Sequence, residues 1–231
     1  MAILTAYKQK ILFVIIFTLL GLAALQVPFT QLAGSKVKFT LFDFFGPIAT
    51  GFIGILPGMM AVFLMQLGNF VLHGAQVVDA GTVIRFFPML AAAYYFGRKD
   101  KIGILLPLLA IAAFVVHPIG RMVWYYSLFW TIPVFCHFLR GRSLFARSLG
   151  ATFTAHAVGG ALWIWVFNLP AAVWISLIPV VAVERLMFAM GIAAAYVVMA
   201  NILHLLAVRR FVLPLRQIEE KYILRFLRAG R

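Results

Sequence analysis

Acidic residues are scarce in this chain, with six Asp and Glu in 231 residues, and cysteine is limited to Cys136. A lone cysteine excludes a disulfide within the chain and a thiolate zinc cluster. His73, His117, His137, His156 and His204 show no metal-ligand spacing, and no HExxH, GxSxG or GxxxxGK[ST] motif occurs. Metal hydrolysis, serine-type acyl transfer and ATP hydrolysis by this chain alone are therefore not expected, and neither is a bound cofactor. Charged residues make up only 11% of the sequence, far below the roughly one quarter usual in soluble domains.

Hydrophobic residues instead account for 65%. Apolar runs fall near 11–27, 42–56, 58–72, 83–96, 102–116, 122–138, 150–167 and 180–207, several of them approaching the roughly 20 residues that cross a bilayer as helix. Strictly alternating barrel strands are absent. The expectation is an all-α integral membrane protein, a single polytopic helical bundle of six to eight transmembrane helices over residues 1–208. The first run, behind Lys8 and Lys10, has the shape of a signal peptide, but no polar domain follows it, so it is read as a retained helix.

The net charge of +14 does not point to nucleic acid, because the basic residues sit in clusters between apolar runs and form no aromatic-interleaved stripe. With a cytoplasmic N-terminus, Lys8/Lys10, Arg98/Lys99/Lys101, Arg140/Arg142/Arg147 and the tail from Arg209 place 15 of the 20 Lys and Arg inside. Such asymmetry orients inner-membrane proteins, and it predicts a multi-pass plasma (inner) membrane protein with both termini cytoplasmic. Residues 209–231, with Leu215, Ile218, Tyr222 and Phe226 at helical spacing among basic residues, are expected to form a cytoplasmic amphipathic helix on the inner leaflet.

On this topology most polar residues fall near the outer face. Asp43 opens the second run, His73 and Asp79 follow the third, and Arg85 opens the fourth. His117, Arg121 and Trp124 lie in VVHPIGRMVWYY, Asn168 marks a corner at FNLP with Trp174 beyond it, and Glu184-Arg185 stand at the mouth of the last run. Charges within hydrocarbon are costly unless they meet a partner or a cavity. These residues are therefore the candidates for a substrate-binding cavity open to the outside, with the aromatics as walls. The plainer reading is that Trp and Tyr form interfacial belts and that arginines snorkel or pair structurally. As neighbours, Glu184 and Arg185 point about 100° apart on a helix, so each is expected to find its partner elsewhere, Arg185 on Asp43 or Asp79. His156 reads as a hydrogen-bonded packing residue. Outside, five basic residues against Asp43, Asp79 and Glu184 lean toward a carboxylate- or phosphate-bearing ligand.

Small residues recur every four positions at Ala151/Ala155/Gly159, Gly54/Gly58 and Ala189/Ala193, which lets helices approach closely. Residues 39–71, FTLFDFFGPIATGFIGILPGMMAVFLMQLGNFV, with Asp43, Gly46-Pro47, Gly51, Gly54, Gly58, Gly68 and Asn69, resemble the first block of substrate-binding S-components of energy-coupling factor (ECF) transporters. The segment 156–185, with its Gly-Gly, Leu-Pro corner and Glu-Arg, is similar to that family's closing block. The family has six helices, and its Ala-x-x-x-Ala signature lies in the first of them, where this chain has none. The Ala151/Ala155/Gly159 ridge is the substitute candidate for a coupling face. The resemblance implies binding of a small vitamin-like solute at the outer face, and import with a membrane coupling subunit and two cytoplasmic ATPases. It assigns no ligand-contacting residue here. The alternative from the residues is a membrane enzyme acting on lipid or isoprenoid substrates with Glu184 or His156 as acid-base, and a third reading is a structural membrane protein whose polar groups only pair with one another.

Overall fold

The computed structural model describes residues 2–31, 38–72, 79–208 and 218–228. The chain opens with α1 (Ala2–Leu25), then a short antiparallel pair, β1 (Pro28–Gln31) and β2 (Lys38–Thr40). α2 (Phe42–Phe45), a 3-10 turn at Gly46–Ile48 and α3 (Ala49–Ile53) run nearly continuously into α4 (Ile55–Leu72). They are separated from α4 by Gly54, whose φ of 94° only glycine adopts without strain. α5 (Ala80–Ile84), α6 (Phe86–Gly97), α7 (Leu105–Val116), α8 (Pro118–Met122), a 3-10 stretch Trp124–Thr131 and α9 (Ile132–Leu139) follow. The long α10 (Leu144–Phe167) and α11 (Ala171–Val208) close the bundle.

This is a membrane protein built of helices, but the expected six to eight spans are not what the helix lengths give. Among the described residues three helices are long and apolar enough to cross a bilayer: α4, α10 and α11. Several of the other apolar runs are cut short. Pro118 ends α7 after 12 residues, about 18 Å of helix, where a span needs about 30 Å. Residues 122–138, one run by hydropathy, divide into a 3-10 stretch and an eight-residue helix led by Pro133. Conversely, the chain from Ala171 to Val208 is a single 38-residue helix that carries Pro179 within it. The β1–β2 pair was not expected from an all-helical reading.

α10 is the central element, packed against α6, α11, α9 and α7. The Ala151/Ala155/Gly159 ridge joins this packing in part: Ala151 is fully buried and a Cβ on Gly159 would meet the Pro88 ring at 3.4 Å. Ala155 and Gly159 are half-buried, and Ala155 lines the cavity described below. Gly58 backs onto the Thr50 main chain, where a Cβ would lie 2.5 Å from its Cα. In lipid, such close approach is where stability comes from, because apolar side chains gain little by leaving hydrocarbon and helix association rests on packing and hydrogen bonds. The outward-facing Leu56, Val183 and Met190 are accordingly large, apolar and exposed.

Basic residues gather at one end. Arg140 Nη2 donates to the carbonyls of Tyr95 and Phe96 at 2.8 and 2.9 Å, and Arg147 Nε donates to Phe96 O at 2.8 Å. The two guanidinium groups thus satisfy the orphan carbonyls at the C-terminal, negative end of α6. Arg147 also lies 3.9 Å over the Phe96 ring and pairs with Glu219 at 2.9 Å. In its described part the tail is not the continuous amphipathic helix expected. It forms a 3-10 turn (Glu220–Tyr222) and a four-residue helix (Arg225–Arg228), docked on the bundle. Asn201 holds it by donating to Tyr222 O at 3.0 Å and accepting from Leu224 N at 2.8 Å. Leu215 and the Phe226 side chain lie outside the description.

Candidate functional site

A cavity of about 580 Å³ opens in the half of the bundle away from the basic end, within the range typical of small-molecule sites. Leu25, β2 with Phe39 and Thr40, α2 with Phe42 and Asp43, α4 with Gln66, Asn69 and Phe70, α5–α6 with Thr82, Arg85 and Phe86, α10 with Thr152 and His156, and α11 with Arg185 and Phe188 form its walls. The lining is mainly aromatic and aliphatic, with polar groups placed among the rings.

Arg185 dominates the chemistry. It lies in the middle of α11, 14 residues past the start at Ala171, so the expectation that Glu184-Arg185 mark the outer mouth of a helix is corrected: about 20 Å of helix precedes them. The residue is 8% exposed. Its guanidinium sits 4.3 Å over the Phe188 ring and 5.6 Å from that of Phe39. Nη1 donates to Thr152 Oγ1 and Nη2 to Glu184 Oε2, both at 3.4 Å, and Nε has no partner. Adjacent residues on a helix can therefore pair when both side chains fold back into the same buried space, contrary to the expectation from their 100° separation. Charge-assisted bonds are normally 2.7–2.9 Å, so this guanidinium is loosely held for so buried a group.

Asp43 Oδ2 accepts from the Thr40 backbone N–H at 2.8 Å, which ties β2 to α2. Phe39 and Phe29 lean on Phe188 from the same hairpin, at centroid distances of 4.7 and 5.9 Å. The hairpin and α2 are thereby fastened to α11 beside Arg185. Gln66 donates to Phe86 O at 3.2 Å, joining α4 to the start of α6. At the rim, Asp79 caps α5 by accepting from Thr82 N and Oγ1 at 2.6 and 2.7 Å. These hydrogen bonds, the Thr82 hydroxyl first, hold the Asp79 carboxyl below its ordinary value.

His156 reaches the cavity from α10 with both ring nitrogens engaged. Trp130 Nε1 donates to Nδ1 at 2.9 Å, and Nε2 meets the Tyr126 hydroxyl at 3.1 Å. Behind them Phe114, Tyr126, Trp130 and Trp174 interlock edge to face.

Of the residues singled out in the sequence, Asp43, Arg85 and Arg185 line one cavity, with Arg85 exposed at its rim. Glu184 stands next to it as the partner of Arg185, and Asp79 next to it as the cap beside Thr82. The others are not brought in. His117 Nδ1 accepts from Ile119 N and caps α8, with its ring edge-on to Trp165. Arg121 and Trp124 are exposed away from the cavity, and Trp174 is core. Asn168 ends α10 as a left-handed cap, φ 48° and ψ 42°, its N–H bonded to Ile164 O. His73 lies outside the described residues. Residues missed as lining, Phe39, Gln66, Thr152, His156 and Phe188, carry little signal by themselves. Only His156, a polar group within a long apolar run, carried one; it read as a hydrogen-bonded packing residue, which its two ring contacts bear out, and it lines the cavity as well.

Among the described residues no group of three His, Cys, Asp or Glu is placed to hold a metal ion. No protein-family model, curated protein or solved structure matches this chain.

Proposed function

We propose that the protein is a membrane transport subunit that binds a small vitamin-like solute in this cavity at the outer face of the plasma (inner) membrane, for import with an ATP-driven membrane coupling module. The observation that carries the reading is the cavity itself. Separate segments converge on it with Asp43, Gln66, Arg85, His156 and Arg185, within an apolar and aromatic wall large enough for a small solute. The resemblance of residues 39–71 and 156–185 to ECF S-components supports the same reading, and those two segments contribute much of the wall, from Phe39 and Asp43 to His156 and Arg185.

The alternative of a lipid-active membrane enzyme draws less support. Both nitrogens of His156 are committed to Trp130 and Tyr126, and Glu184 is committed to Arg185. A general acid or base needs a free site within reach of substrate.

Native mass spectrometry of the gently purified full chain tests the proposal. A bound small molecule should be retained, and should be lost from Arg185→Gln. Uptake of that molecule by cells should depend on ATPase subunits that purify with the chain. Lipid turnover that disappears in Glu184→Gln, with no retained solute, would favour the enzyme instead.

A further inference from the structure

The polar end of the ligand can be read from how Arg185 is neutralised, an inference that rests on the solute-binding reading above. A buried arginine facing a cavity usually signals an anionic ligand, because a planar guanidinium matches a carboxylate bidentately. Here the charge is already met. Glu184 pairs with Arg185 from outside the cavity wall, and Asp43 is a second carboxylate, lining the same cavity as Arg185. Around the cavity Arg85 and Arg185 thus stand against Asp43 and Glu184, two guanidinium groups to two carboxylates. Of the two cations, Arg85 is exposed at the rim, where solvent screens its charge.

An incoming carboxylate would thus be a negative group with no cation left unmatched in a low-dielectric space, where like charges repel strongly. Hydrogen-bonding capacity is another matter. Of the five N–H groups of Arg185, two make bonds and both of these are at 3.4 Å, while Nε makes none. The guanidinium has donors to spare but no charge to spare. Asp43 shows the complementary surplus: one oxygen accepts from Thr40 N, and a carboxylate has room for about four bonds. Between the two, the walls are rings, with Phe188 stacked under Arg185 and Phe39, Phe42, Phe70 and Phe86 around the cavity.

We propose that the cavity binds a flat, uncharged compound whose polar end carries both an acceptor and a donor, of the carboxamide or lactam class, the acceptor meeting Arg185 and the donor meeting Asp43. The aromatic walls take its ring, and the neutral head satisfies both residues without adding charge. A neutral head with only one of the two functions leaves the other residue's capacity unmet, and hydrogen-bonding sites reject such analogues strongly.

Three probes with one ring and different heads test this: benzamide, benzoate and benzylammonium, titrated against the full chain in nanodiscs by saturation-transfer NMR. Benzamide is expected to bind at least tenfold more tightly than either ion, and Asp43→Asn, which retains shape but loses the carboxylate, should reduce that preference at least threefold. Benzoate binding tightest would overturn the proposal in favour of an anion site, and benzylammonium binding tightest would overturn it in favour of a cation site on Asp43. Saturable binding by none of the three also overturns the head-group assignment. The solute-binding reading is judged separately by the mass of any retained molecule. A retained acid or amine sinks the head-group inference alone, and an empty protein with no ATP-dependent uptake sinks both.

Discussion

Trp130 donates its indole N–H to Nδ1 of His156 at 2.9 Å, and this single contact sets the protonation of the imidazole. An indole nitrogen can only donate, so Nδ1 must carry a lone pair. The ring is then neutral with its proton on Nε2, which donates to Tyr126 Oη at 3.1 Å and leaves the Tyr126 hydroxyl hydrogen for another acceptor. An imidazolium would set two N–H groups against each other.

Trp130→Phe is therefore expected to leave Nδ1 buried without a donor while nearly preserving ring packing. The loss should be about 1–3 kcal/mol of stability, the cost of an unmet buried acceptor. Thermal unfolding in detergent measures it, and the ¹⁵N shifts of a labelled His156 should report loss of the single tautomer. Unchanged shifts would mean that Tyr126 alone orients the ring.

Glu184 and Arg185 form a largely buried pair, so removing either alone strands the other. Arg185→Met should destabilise the protein by about 3–5 kcal/mol, whereas Glu184→Gln/Arg185→Met together should cost clearly less than the sum of the single changes. Denaturation of the four proteins of this cycle decides it. Additive effects would show that the 3.4 Å contact carries no coupling.

The tail should contribute to stability through Asn201. Asn201→Ala removes both bonds to the 222–224 main chain and is expected to cost about 1–3 kcal/mol. Cleavage after Lys221 and Arg225 by trypsin should quicken. Equal cleavage rates in the variant and the parent would indicate that Arg147–Glu219 holds the segment unaided.

At the rim, Asp79 gives a pH dependence of known sign. Its carboxyl is held below the ordinary value of 3.8 by the Thr82 hydrogen bonds, so the folded state binds this proton less readily than the unfolded chain. The cap on α5 is fully present above the ordinary value and is lost as pH falls through the lowered one. Hydrogen exchange of the Thr82 amide should accelerate, relative to neighbouring amides, only in that acid window, and in Asp79→Ala the window should vanish.

The sidedness of the bundle can be measured with single cysteines in a Cys136→Ser background. The positive-inside bias predicts that a cysteine at exposed position 100 is protected in intact cells from an impermeant reagent, and that one at exposed position 79 is labelled. The opposite pattern would place the cavity mouth on the cytoplasmic side and remove the import reading.

Composition and periodicity by themselves determined that this is a helical membrane protein and where its apolar segments lie, because the cost of unmet backbone groups in hydrocarbon leaves few alternatives. They also marked Asp43, Arg85 and Arg185 as residues in need of a partner or a cavity, since charge among apolar residues is visible without coordinates. Segment continuity was not visible. Hydropathy does not register that Gly54 turns the chain at positive φ, that Pro118 ends α7, or that the helix runs on through Pro179, and so its run count exceeds the three spanning-length apolar helices among the described residues. Partner choice belonged to the tertiary structure alone. That Glu184 folds toward its neighbour, that Trp130 finds His156, and that Arg121 and Trp124 stay outside depends on how α10 and α11 pack and on the hairpin at Phe29 and Phe39. Apart from the Glu184–Arg185 pair, those contacts join residues far apart in the chain, and no local pattern records them.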